Sequence, residues 1–134
     1  MVLGGILVLN GCTGDAADRL VPVSGRITSN GQPAPSGTVV FYPDPDRGNA
    51  SRQEARGTID AQGVYRLKTG KDKGAPPGWY QVAVFALKPP RPEQTMSPPE
   101  WWASQRYSDP RTSGLAVEVT PAAAPNAYDF DLLP

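Results

Sequence analysis

Apolar and polar residues alternate with a period of two in this chain, and this pattern constrains the fold more than any other feature. The pattern recurs in seven short segments that it predicts as β-strands: residues 21–28, 38–42, 55–59, 64–68, 79–87, 115–120 and 128–132. Turn residues such as Asn30-Gly31 and Asp60-Ala61-Gln62-Gly63 separate them. The 134 residues include 16 prolines and 14 glycines, which favour turns and strand edges over helices.

Each predicted strand has one apolar face, so two sheets must pack face to face to bury those faces. The sequence therefore predicts an all-β fold, a seven-stranded antiparallel β-sandwich. An outward apolar face carrying Val40, Tyr42, Trp79 and Phe85 is also expected, and it needs a cover. The residues expected to face the core are Val23, Ile27, Val39, Phe41, Ile59, Tyr65, Leu67, Tyr80, Val82, Val84, Leu115, Val117, Val119, Tyr128, Phe130 and Leu132.

The chain begins with a short apolar segment that runs into its single cysteine, Cys12. This segment holds about eight residues, whereas a membrane-spanning helix needs roughly 20. The order Leu9-Asn10-Gly11-Cys12 resembles a bacterial lipobox, the site where a prolipoprotein is acylated and cleaved. We therefore expect a lipoprotein-type signal peptide at residues 1–11, lipidation of Cys12 with palmitate-type acyl chains, and a lipidated N-terminus and tether at residues 12–20. The alternative is an apolar N-terminus with an unmodified thiol.

The composition argues against most catalytic and metal chemistry. The chain has no histidine, and its one cysteine is the expected lipidation site, which excludes thiolate zinc sites and histidine-based acid–base or nucleophilic catalysis. Asp44, Asp46 and Asp60 are expected to be turn residues rather than calcium ligands or a hydrolytic carboxylate pair. Lys plus Arg and Asp plus Glu number 13 each, so the net charge gives no electrostatic reason to expect nucleic acid or anionic lipid as a partner.

Four stretches follow one another in a set order: VPVSGRITSNGQPAPSGTVVFYP, RGTIDAQGVYRLKTG, GAPPGWYQVAV, and YSDPRTSGLAVEVTP with YDFDLLP. Together they resemble the carboxypeptidase regulatory-like (transthyretin-like) β-sandwich family, and the ending is similar to that of small exported lipoproteins of planctomycete-type bacteria. The resemblance covers about residues 21–133. It implies a prealbumin-like sandwich with immunoglobulin-like Greek-key connections and an accessory, non-catalytic role. Hydroxyisourate hydrolases of the same architecture use histidines and a C-terminal Tyr-Arg-Gly-Ser signature, and this chain has neither.

Residues 88–111 are expected to form an insertion in the sandwich domain at residues 21–134. The segment holds six prolines together with Trp101, Trp102 and Tyr107. A long loop without regular structure is either functional or disordered, and its aromatic residues argue against disorder. Two alternatives remain: the tryptophans fold back over the outward sheet face, or they project and bind sugar rings or a protein partner. The candidate ligand or partner residues are therefore Trp79, Trp101, Trp102 and Tyr107.

The sequence thus predicts a lipid-anchored, non-enzymatic β-sandwich module with a structural or protein-binding role. The alternative is a carbohydrate-binding module that uses the Trp101/Trp102 loop. We expect the protein in the bacterial cell envelope, anchored to a membrane through the lipid on Cys12 and facing the periplasm or the cell exterior. The expected partners are that membrane and an envelope protein or a glycan. No cofactor, metal or nucleic acid is expected.

Overall fold

The computed structural model describes residues 19–94 and 97–134. The predicted signal peptide, Cys12 and the tether up to residue 18 lie outside the described residues. Within the described residues, three short 3₁₀ turns accompany the strands, at Pro45–Arg47, Pro92–Gln94 and Gln105–Ser108. The strands are β1 (Ser24–Ser29), β2 (Gln32–Pro33), β3 (Ser36–Pro43), β4 (Ala55–Ile59), β5 (Val64–Arg66), β6 (Lys68–Thr69), β7 (Asp72–Lys73), β8 (Gly78–Leu87), β9 (Ala116–Val119) and β10 (Phe130–Asp131).

The described part of the chain is all-β, which confirms the predicted fold class, and its strands form two sheets. The larger sheet has the order β7-β6-β4-β3-β8-β9 and is antiparallel throughout. In the smaller sheet, β1 pairs with β2, β5 and β10. The strands of the described part number ten rather than seven, because the predicted strand at residues 64–68 breaks at Leu67 and the two-residue strands β2 and β7 were not predicted.

The pairing of β10 with β1 is parallel, whereas the sequence predicted antiparallel pairs only. The two edges of β1 show where β10 can pair. The N–H of Ile27 donates to Gly63 O, and the carbonyl of Ile27 accepts from Ala34 N. The segments that contain β5 and β2 therefore both lie along the same edge of β1. The C-terminal segment takes the other edge, where Leu132 N donates to Thr28 O at 2.7 Å.

The core lies between the two sheets and is centred on the fully buried Phe41 of β3. The Phe41 ring centroid is 5.6 Å from that of Tyr80, 6.3 Å from that of Tyr65 and 6.5 Å from that of Phe130. Tyr80 belongs to the larger sheet, whereas Tyr65 and Phe130 belong to the smaller one, so these contacts join the sheets as a sandwich requires. Of the predicted core residues, three are only half-buried and pack against this cluster: Leu115, Val117 and Phe130.

One side of the core is closed by a chain segment that passes from one sheet to the other at Leu67. Arg66 is opposite Ser24 in the smaller sheet, and Lys68 is opposite Arg56 in the larger one. The backbone of this segment runs so close to β4 that a Cβ on Gly57 would lie 2.3 Å from Arg66 O, so only glycine fits there.

The N-terminal segment joins the sheets beside this crossing. Val21 N donates to Ala75 O at 2.8 Å and Ala75 N donates back to Val21 O at 3.0 Å. Leu67 N donates to Val23 O at 3.0 Å, so residues 21–24 run along the crossing segment. The chain therefore leaves the described domain, toward residue 18, next to the β6–β7 hairpin.

Candidate functional site

The aromatic insertion turns back along the edge of β8 after that strand ends at Leu87. Trp102 N donates to Ala86 O at 2.8 Å near the end of β8. Further along, the Ser113 hydroxyl donates to Val82 O at 2.6 Å, and β9 then pairs with the first four residues of β8. An uncovered strand edge invites pairing with other chains. The insertion therefore covers the end of this edge near Ala86, and Ser113 and β9 cover the part nearer the start of β8.

Trp101 lies on the outward face of the larger sheet. It sits opposite Leu87 in a single antiparallel bridge, which places both side chains on one face. The Trp101 ring stacks on that of Phe85, with ring centroids 6.3 Å apart and planes 28° apart. Trp101 is half-buried. This contact is the one expected if the loop folds back over the sheet.

Trp102 and Tyr107 turn to the inner side instead. Trp102 is half-buried and packs against the core cluster, while Tyr107 is 3% exposed. The Tyr107 hydroxyl accepts a hydrogen bond from Leu133 N at 2.9 Å. The side chain of Ser104 accepts from Arg106 N and so caps the 3₁₀ turn that carries Tyr107. These two aromatic side chains thus hold the insertion and the C-terminal segment against the core.

Trp79 is at the other end of β8. Its ring is half-buried, and the Arg47 guanidinium lies 4.7 Å from the ring centroid, which is a cation–π geometry. Its carbonyl accepts from the side-chain amide of the buried Asn49 at 2.8 Å. At about 3.3 Å per residue, Trp79 lies about 26 Å along the strand from Leu87, the residue opposite Trp101. The four predicted aromatic residues therefore do not converge on one site.

The three aspartates considered from the sequence act as turn residues. Asp44 accepts from Asp46 N at 3.1 Å and caps the 3₁₀ turn at Pro45–Arg47. Asp60 accepts from Gln62 N at 2.8 Å and from Val64 N at 3.0 Å. In residues 19–94 and 97–134, no three or more His, Cys, Asp and Glu side chains are grouped so as to hold a metal ion.

Among the described residues, burial in the core perturbs the phenols of Tyr65 and Tyr80. Burial raises the pKa of Tyr65 well above its usual value of 10.0, and the nearby Asp129 raises it further. Burial also raises the pKa of Tyr80. Both phenols donate to backbone carbonyls, Tyr65 to Tyr128 O at 2.5 Å and Tyr80 to Pro76 O at 2.6 Å. These hydrogen bonds make the two phenols structural groups of the core.

A groove of about 610 Å³ lies between the N-terminal segment, residues 19–24, and the loop that follows β9, residues 120–128. Its walls combine Leu20, Val21 and Pro22 with Pro121, Ala123 and Tyr128.

Within the part of the chain that the structure describes, no helix has the length and apolar character needed to cross a bilayer. Comparisons with models of protein families, with curated proteins and with solved structures find no match for this chain.

Proposed function

We propose that this protein is a lipid-anchored, non-enzymatic module of the bacterial cell envelope with a structural or protein-binding role. The observation that carries the proposal is the apolar N-terminal segment that leads through Leu9-Asn10-Gly11 to the single cysteine, Cys12. One acyl chain binds a membrane only marginally, whereas two or more bind stably. A lipoprotein with several chains on Cys12 would stay on its membrane.

The path of the chain near Val21 supports this proposal. The segment toward residue 18 leaves the domain at one end of the sheets, beside Ala75. Residues 13–20 would span less than about 30 Å when extended. A domain tethered in this way stays close to the membrane and keeps its opposite end, which carries the insertion, available to other envelope components.

We also propose that the two sheets form a transthyretin-like sandwich. The stretches that resemble this family coincide with β1–β3, with β4–β6, with most of β8, and with β9 and β10. These are the core-forming strands of the described domain. The resemblance implies an accessory module, which agrees with the proposed non-enzymatic role.

The anchor is tested by the Cys12→Ser variant of the full chain, expressed in a bacterial host that processes lipoproteins. We expect the unmodified chain in the membrane fraction, with incorporated palmitate, and the variant without label and released from the membrane. Thr13→Ala is the matched control, because it alters the neighbouring residue and keeps the thiol. Unlabelled wild-type protein, or membrane association of Cys12→Ser that persists after a high-salt wash, would contradict the proposal.

A carbohydrate-binding role is the alternative that the aromatic insertion suggested. The packing of Trp101 on Phe85 and the burial of Tyr107 favour a structural role for the insertion. A titration with cell-wall glycan fragments, followed by tryptophan fluorescence, distinguishes the two roles. We expect no saturable change, and saturable binding that is lost in Trp101→Ala would favour the carbohydrate role instead.

A further inference from the structure

Three cationic side chains lie next to one another on the outward face of the larger sheet. Arg56 on β4 is directly opposite Lys68 on β6, and Lys68 is directly opposite Lys73 on β7. Directly opposite residues share a face, and neighbouring strands are about 4.8 Å apart. All three residues are exposed. They form a row about 10 Å long at the sheet edge, which we call the basic row.

Few negative charges offset the basic row. Among the described residues, Arg56 is paired with Glu54, and no carboxylate is paired with Lys68 or Lys73. Asp72 is opposite Thr69, so it faces the other side of the hairpin. Like charges directly opposite each other destabilise a sheet. The basic row therefore carries a repulsion that an anionic partner would relieve.

A groove of about 610 Å³ runs alongside the basic row and adds further hydrogen-bond donors. Asp60 also lines this groove, but its carboxylate already accepts two backbone hydrogen bonds, from Gln62 and Val64. Cationic and hydroxyl donors on one surface suit phosphate oxygens. The donor side chains that line the groove are Thr38, Arg56, Thr58, Arg66 and Lys68.

We propose that the basic row and its groove dock on anionic phospholipid headgroups. The reason for a lipid partner is the position of the row: Lys73 is two residues before Ala75, which pairs with Val21 where the chain leaves toward Cys12. The inference rests on the proposed anchor, because an acylated Cys12 would hold this end of the domain within about 30 Å of the headgroups. The tether then makes headgroup contact an intramolecular event.

The formal net charge of zero does not indicate that the chain has a cationic surface at the basic row. The pairing of β4, β6 and β7 brings cations together at one edge of the larger sheet, although the charges of the whole chain balance. Each Lys or Arg near an anionic membrane surface strengthens binding about fivefold. Replacing two lysines should therefore weaken binding about 25-fold. The effect should vanish at high salt, since the Debye length falls from about 8 Å at physiological ionic strength to about 3 Å at 1 M.

The test uses the full chain with Cys12→Ser, so that no acyl anchor contributes. Co-sedimentation is measured with vesicles of phosphatidylcholine alone and of phosphatidylcholine mixed with phosphatidylglycerol. The apolar N-terminal segment is common to all variants, so the readout is the ratio of binding to the two vesicle types. The test variant is Lys68→Gln with Lys73→Gln. The control is Lys88→Gln with Arg91→Gln, which removes the same charge beside Leu87, away from the basic row; both of these cations are paired with Glu100.

We expect binding that depends on phosphatidylglycerol, falls about 25-fold in the test variant and changes little in the control. Equal binding to both vesicle types, or equal loss in the control, would overturn the proposal. Displacement by double-stranded DNA at matched phosphate concentration would assign the surface to nucleic acid and also overturn it. The anchor is judged separately: acylation of the wild type with no phosphatidylglycerol dependence refutes the docking surface alone, and dependence without acylation refutes the anchor alone.

Discussion

The hydroxyl of Tyr65 offers the sharpest test of how the smaller sheet is held together across β1. Tyr65 is fully buried on β5, and its hydroxyl donates to Tyr128 O at 2.5 Å, just before β10. A Cβ on Gly25, between them in the smaller sheet, would lie 2.1 Å from the same carbonyl, so the carbonyl lies directly against the backbone of β1. Tyr65→Phe removes the donor and keeps the ring that packs near Phe41.

The expected cost follows from the buried carbonyl that is left without this donor. A typical hydrogen bond contributes about 0.5–1.5 kcal/mol, and an unsatisfied buried acceptor costs about 1–3 kcal/mol. We therefore expect the free energy of unfolding to fall by about 2 kcal/mol at neutral pH. For a domain of this size, this corresponds to a Tm that is lower by about 8 °C.

The difference between wild type and variant should depend on pH. Burial raises the pKa of Tyr65 in the folded protein well above the usual 10.0. Below pH 10 both states keep the proton, and the contribution of the phenol is fully present. Above it the unfolded chain releases the proton while the folded protein retains it, so the free energy of unfolding falls by up to about 1.4 kcal/mol per pH unit. The variant has no phenol at this position and so has no such pH dependence. Its free energy of unfolding should equal that of the wild type at about pH 11.5.

Urea unfolding at a series of pH values, followed by circular dichroism, measures both effects. Tyr42→Phe is the matched control, because Tyr42 is only half-buried and its hydroxyl has no hydrogen-bond partner among the described residues. It should change stability by less than about 0.5 kcal/mol. An equal loss in both variants, or a Tyr65→Phe difference that does not narrow above pH 10, would refute the reasoning.

Three further substitutions test the packing of the insertion, the crossing segment and the edge of β8 beside Ser113. Trp101→Ala removes the ring stacked on Phe85 and should cost about 1–2 kcal/mol in thermal unfolding; an unchanged Tm would show that the loop is not a cover. Gly57→Ala puts a methyl group against Arg66 O and should cost at least about 2 kcal/mol, whereas Thr58→Ala on the same strand should cost little. Ser113→Ala removes a donor to the β8 carbonyl and should cost about 1–2 kcal/mol in chemical unfolding, and a neutral result would contradict that hydrogen bond.

The alternation of side chains predicted the core well, because a strand can bury only one of its faces. Val82 and Val84 on β8 lie inward as expected, and Trp79 and Phe85 lie on the other face. Val40 departs from the pattern, since it points outward yet is only 2% exposed. It is opposite Ala83 on one side and Arg56 on the other, in the middle of the larger sheet. Burial there depends on neighbours in other strands, which alternation along one strand does not describe.

Local sequence patterns could not predict the parallel pairing of β10 with β1 either. A hairpin turn fixes the direction and register of the strands that it joins. No such turn joins β1 to β10, which are separated by most of the chain, and their pairing depends on which edge of β1 remains open. The predicted aromatic site shows the same limit, because Trp101 and Trp102 are adjacent in sequence but take opposite sides of the sheet.

The basic row could be predicted only in part from the sequence, because the adjacency of its cations depends on the strand register. The alternating cations Arg66 and Lys68 already indicate that a strand carries positive charge on one face. They do not reveal that the chain crosses between sheets at Leu67, so that Arg66 and Lys68 belong to different sheets and Lys68 falls between Arg56 and Lys73. Net charge is a sum over the chain, whereas the field at a surface depends on which charges are neighbours. A chain with zero net charge can therefore present a strongly cationic edge, and in this protein that edge lies beside the segment that leads to Cys12.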